Sequence, residues 1–191
     1  DGTGTAAKFN HPNGITTDGT NLYVADRYNH RIRKIVISTG VVTTLAGSSS
    51  GSTDATGTSA SFDNPMGITT DGTNLYVADY GNHRIRKIVI DNGTVTTIAG
   101  SSRGSSDNPT GISASFNGPR GITTDGENLY VVDYGNHLIR KIVISTGAVT
   151  TLAGTAGTYG SADNTTGTSA SFKNPWGITT DGTNLYVVDA G

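Results

Sequence analysis

Three histidines, His30, His83 and His137, recur along the chain, each four residues after an aspartate, Asp26, Asp79 and Asp133. Imidazole and carboxylate together could hold zinc or pass protons. Repetition argues against both. A residue that returns once per structural unit is carried a unit's width from its copies, too far for three imidazoles to share an ion at ~2.0–2.1 Å. His11 breaks the pattern and has no counterpart. The expectation is that each histidine bonds to the loop carrying its aspartate, while the aspartate satisfies backbone donors of its own turn. A catalytic dyad needs two carboxylates that face each other, and calcium needs six to eight converging oxygens; no loop has such spacing. Serine and threonine abound without a nucleophile elbow, and the chain has no cysteine. No catalytic residue, metal ligand or cofactor is assigned.

The positions where near-identical copies differ say more. Between an unchanging Pro and an unchanging Gly-Ile-Thr-Thr-Asp-Gly stand Asn13, Met66, Arg120 and Trp176. A second variable place, just after the aspartates, holds Arg27, Tyr80 and Tyr134. Tryptophan, tyrosine, methionine and arginine are the residues of recognition patches. These seven are therefore the candidate contact surface for a partner, against the plainer reading of drift at exposed sites.

The elements that must position them are strands. The phrase Gly-Ile-Thr-Thr-Asp-Gly-x-Asn-Leu-Tyr-Val begins at Gly14, Gly67, Gly121 and Gly177, at intervals of 53, 54 and 56 residues. A repeat of that length is one supersecondary module. Within the second unit, Gly67 to Thr70, Asn74 to Asp79, His83 to Ile90 and Thr94 to Ala99 are rich in Val, Ile, Thr and Tyr and bounded by turn residues, and none has a helical period. Asp71-Gly72 and Asp91-Asn92-Gly93 are hairpin signals. Two hairpins and one long return, Gly100 to Arg120, predict a four-stranded antiparallel meander running from an inner Gly-Ile-Thr-Thr strand outward: a β-propeller blade. The units are 1–53, 54–106, 107–162 and 163–191, a single array of three full blades and half a fourth. Asp1 aligns with Asp54, Asp107 and Asp163, so the N-terminus is expected to supply no strand that completes blade four.

The motif Phe62-x-x-Pro65-x-Gly67-Ile68, Asp71-Gly72, Leu75-Tyr76-Val77-Ala78-Asp79 and Asn82-His83-Arg84-Ile85-Arg86-Lys87-Ile88, closed by Val95 to Gly100, resembles the NHL-repeat propellers. It is most similar to the Thr- and Gly-rich arrays of secreted or surface bacterial proteins. The resemblance implies typically six blades and an extracellular or cell-surface place, and it leaves function open. The expected function is a non-enzymatic binding or scaffold module for a protein or glycan. The alternatives are a subunit that assembles with its own copies into a surface layer or filament coat, and, further off, a lyase-type enzyme.

Thirteen Lys and Arg against fifteen Asp and Glu leave a net charge of −2, which does not favour nucleic acid as a partner. The repeated Arg31, Arg33 and Lys34 and their copies are expected to pair with acidic or carbonyl groups between blades. No apolar run approaches the ~20 residues of a membrane span. Asn92-Gly93-Thr94 and Asn164-Thr165-Thr166 fit the N-glycosylation pattern, one that arises easily by chance in an Asn/Thr-rich chain.

Overall fold

Asn-Leu-Tyr-Val has the β-branched and aromatic residues that suit a pleated surface, and the Asp-Gly before it closes a hairpin at glycine's positive φ, +88° at Gly72. The aspartate does the rest: Asp71 Oδ1 accepts the amides of Thr73 and Asn74 at 2.8 and 2.6 Å, and Oδ2 accepts the Tyr76 hydroxyl at 2.8 Å. In a computed structural model describing residues 1–191, this local code folds four times over.

The first blade holds β2 (Pro12–Thr17), β3 (Asn21–Asp26), β4 (Arg31–Val36) and β5 (Val41–Ala46), after a short β1 (Gly2–Thr3). The second holds β6 (Pro65–Thr70), β7 (Asn74–Asp79), β8 (Arg84–Val89) and β9 (Val95–Ala99). The third holds β10 (Pro119–Thr124), β11 (Asn128–Asp133), β12 (Leu138–Val143) and β13 (Val149–Ala153), and the fourth only β14 (Pro175–Thr180) and β15 (Leu185–Asp189). Every pairing between strands is antiparallel, and β1 aside each sheet runs in sequence order from its inner strand outward, as the loop lengths predict. The first strands, β2, β6, β10 and β14, lie beside one another.

Two features differ from the sequence reading. The strand β1 pairs with β5, Gly2 opposite Val42, so the N-terminal segment adds a fifth strand to its own blade. The inter-blade loops repeat this at Thr56 with Thr94 and at Asn108 with Val149. Each return therefore covers the outer edge of the blade it is about to build, hiding unpaired backbone groups, before it crosses to the inside. Short 3₁₀ turns, such as Tyr80–Asn82 after β7, also appear where the sequence carries no helical period.

The core lies between sheets. Tyr23, Ala25, Ile32 and Ala46 of blade one meet Phe62, Ile68, Leu75, Val77, Ile88 and Val95 of the next, all buried. The second interface repeats this with Tyr76, Ala78, Ile85 and Ala99 against Phe116, Ile122, Leu129, Val131, Ile142 and Val149. Each large side chain so buried contributes about 1.5–3 kcal/mol. The corresponding residues on the outer faces of the array are open: Ile15, the counterpart of Ile68, is 59% exposed, and Tyr186 and Val188, counterparts of Tyr23 and Ala25, are 56% and 61% exposed.

Candidate functional site

The variable residue of each unit sits in a β-bulge. In β6 and β7, Pro65 pairs with Asp79 and Ile68 with Val77, so Met66 and Gly67 together oppose Ala78. The same shift occurs in β2, β10 and β14. A bulge re-aims its side chains away from the pleat, which frees that position from sheet packing and lets it vary. In the first three blades the glycine beside it cannot vary. A side-chain carbon on Gly14 would lie 2.5 Å from the Met66 carbonyl oxygen, and one on Gly121 2.8 Å from that of Trp176. The backbones of successive inner strands approach at this point, and only glycine leaves room.

The four inner strands surround a depression of about 260 Å³ lined by Asn13, Arg120 and Trp176 and by the isoleucines Ile15, Ile68, Ile122 and Ile178, with the bulge glycines between them. The Arg120 guanidinium carbon lies 3.5 Å from the centre of the Tyr134 ring, 3.8 Å from that of Trp176 and 5.4 Å from that of Tyr80. Tyr134 and Trp176 meet edge to face at 6.1 Å. Arg120 Nε and Nη1 are buried without a hydrogen-bond partner.

Of the seven residues singled out in the sequence, the structure thus brings Arg120, Trp176, Tyr80 and Tyr134 into one cluster and places Asn13 on the same depression. Met66 is a correction: it is only 1% exposed, an unbranched side chain filling a gap, and is closed to a partner. Arg27 stands apart, its guanidinium 4.7 Å over the ring of its neighbour Tyr28. The isoleucines of the depression were missed. They belong to the constant part of the motif, and inspecting only the variable positions passes over them.

The histidine and arginine expectations need correcting too. His83 Nδ1 accepts the Gly118 amide at 3.0 Å, and His30 and His137 take those of Asn64 and Asn174, both at 3.2 Å. Each histidine therefore reaches forward to the start of the next blade instead of to its own aspartate loop. The cause is its backbone: His30, His83 and His137 are left-handed, at φ 55°, 56° and 60°, which turns the ring out of its own turn. Burial, and after it Arg103, holds His83 below the ordinary imidazole value.

The aspartates are clasped from within their own blade. Asp79 accepts the Asp63 amide at 2.7 Å, the Asn82 side chain at 2.8 Å and Arg86 Nη1 at 2.7 Å, while Arg86 Nη2 reaches Asp54 at 2.6 Å. Arg33 joins Asp26 and Asp1 in the same way, and Arg140 joins Asp133 and Asp107. The arginines thus tie two strands and the incoming loop of one blade together and do not bridge blades. Burial pushes Asp79 up to about 6 against the pull of Asn82 and Arg86, and raises Asp133 likewise. Both carboxylates are fully enclosed and ligated, so neither faces a substrate.

A family model described as NHL repeat matches residues 9–35, 62–88 and 116–142. NHL repeat-containing protein 2 of Bos taurus is 39% identical over 104 residues, which is 51% of this chain and 14% of that protein. Among solved structures, an auxiliary nutrient binding protein from Bacteroides thetaiotaomicron superposes with a TM-score of 0.73 at 21% identity, covering 93% of this chain and 45% of that one. A catalytically inactive virginiamycin B lyase from Staphylococcus aureus gives 0.60 at 22% identity over 93% and 48%. Likeness at that level of identity speaks to the fold alone. Residues 9–35, 62–88 and 116–142 are NHL repeats, each corresponding to the first three strands of one β-propeller blade.

Proposed function

We propose that this chain is a non-enzymatic binding module that works outside a bacterial cell or on its surface, recognising a protein or glycan with the face that carries the inner-strand bulges. The observation that carries this reading is the gathering of Trp176, Tyr134 and Tyr80, from three different units, around the Arg120 guanidinium, with Arg120 and Trp176 lining the depression. Aromatic and arginine side chains anchor recognition surfaces, and Trp176 stays 44% exposed. The Bacteroides protein of the same fold is named for binding a nutrient, which is in keeping with this use of a propeller. A lyase-type mechanism would need histidine and glutamate ligands converging near the axis, whereas His30, His83 and His137 are each engaged at a blade junction.

The test is a glycan array and a screen of extracellular protein ligands, with the wild-type chain and Trp176→Ala compared. Binding that Trp176→Ala abolishes, at little change in melting temperature, supports the reading. A loss of stability with binding intact would make Trp176 a packing residue and defeat it. The exposed Ile15, Tyr186 and Val188 favour a second reading, a subunit that associates through its outer blade faces. In that case substitutions there dissolve an assembly while the bulge residues do not matter.

A further inference from the structure

Arg120 takes no part in the carboxylate pairing that engages the fully buried arginines of this chain. Arg33, Arg86 and Arg140 each hold two carboxylates at 2.6–2.8 Å. Arg120 holds none. Tyr134 and Trp176 crowd its guanidinium carbon from two sides, their own rings edge to face, and its N–H groups can meet an acceptor only in the guanidinium plane, where those bonds lie. There Nε and Nη1 have no partner, and Nη1 is the single terminal arginine nitrogen so orphaned. Either edge of a guanidinium that includes Nη2 also includes Nε or Nη1. A carboxylate meeting Nη2 in the plane, after a small shift of the indole, would therefore satisfy an orphaned donor as well, in the paired geometry that guanidinium and carboxylate share.

The depression selects for the same group. Arg120 is its one charged lining residue, no Asp or Glu lines it, and its other walls are isoleucine, glycine, the Asn13 amide and the Trp176 indole. At about 260 Å³ it falls below the roughly 300–1,000 Å³ of pockets for drug-sized ligands, so it admits a single ring and not an extended segment. An indole wall for a sugar ring, an amide for a hydroxyl and a guanidinium for a carboxylate together describe one ligand class.

We propose that this depression binds a sugar acid, the uronate residue of an anionic glycan, with Arg120 on its carboxylate, Trp176 against its ring and Asn13 on a hydroxyl. The proposal rests on the binding-face reading above and narrows it. Trp176 is the only tryptophan of the chain, so its fluorescence reports on the site without a label. The experiment titrates the full chain at constant ionic strength with sodium glucuronate, glucose or N-acetyl-glutamate amide. The expected result is a saturable change in Trp176 emission with glucuronate and none with glucose. Arg120→Gln should weaken it about tenfold or more, as loss of a charge-assisted hydrogen bond implies, and Arg120→Lys by less. Thermal melts establish that each variant is folded; were Arg120→Gln unfolded, the Arg120→Lys titration decides. An equal response to glucose would overturn the carboxylate assignment and leave the binding face standing. A response to the glutamate amide alone would overturn the sugar. Silence toward all three, while a glycan or protein ligand still depends on Trp176, would overturn the sugar-acid site without touching the broader reading.

Discussion

His83 Nδ1 accepts the backbone amide of Gly118 at 3.0 Å, so a side chain from the second blade pins the start of the third. The link works only with neutral imidazole, because a protonated ring has no lone pair to offer.

Stability should therefore depend on pH through this residue. Burial and Arg103 lower the His83 pKa from its ordinary 6.5, so the unfolded chain binds the extra proton. That contribution is complete above 6.5 and is lost as pH falls through the lower folded value. The expected outcome is a melting temperature that drops between pH 7.5 and 5.5, with a shallower drop in His83→Asn, which tolerates the left-handed backbone and does not titrate. Equal slopes would show that the junction is not pH-sensitive.

The clasp around Arg86 separates a buried pair from a surface one. Asp79 is wholly buried against Arg86, while the Asp54 side chain on its other nitrogen is 44% exposed. Asp79→Ala breaks the fully buried pair and leaves Arg86 only the solvated Asp54, and should cost about 3–5 kcal/mol. Asp54→Ala removes a solvated partner and should cost about 1 kcal/mol or less. Denaturant unfolding of the two variants measures both, and similar losses would refute the distinction.

The bulge glycines supply their own control. A Cβ at Gly67 would collide with the Arg120 carbonyl oxygen, whereas at Gly177 the nearest atom, in Val188, is 3.8 Å away. Gly67→Ala should destabilise by about 1–3 kcal/mol, as overpacking does. Gly177→Ala should stay within about 0.5 kcal/mol of wild type. If both are tolerated, the close approach of inner strands is not what requires glycine.

The two outer faces of the array are complementary halves of the interface already built twice inside it. Blade one presents Ile15 and Ile35 where blade two presents Ile68 and Ile88; blade four presents Tyr186 where blade one presents Tyr23. As a purified 191-residue polypeptide the chain should associate, giving a light-scattering mass above 19.6 kDa. Ile15→Asp should shift it toward the monomer. A monodisperse 19.6 kDa species would count against face-to-face packing.

The strands, their order within a blade and the hairpin aspartates were all readable from one unit, because they depend on neighbours close in sequence. Asp71, Gly72 and Asn74 carry the instruction for their own turn. The positions able to vary were readable too, since four copies in one chain test one another. Distant partners were not. His83 bonds to Gly118, and Arg86 to Asp54, across more than thirty residues, and nothing in either local pattern specifies which loop arrives there. The variable set was likewise divided by the tertiary structure alone, which sealed Met66 inside and left Trp176 open beside Arg120. A bulge frees a side chain from its own sheet, but what that side chain then meets depends on how the next blade is placed.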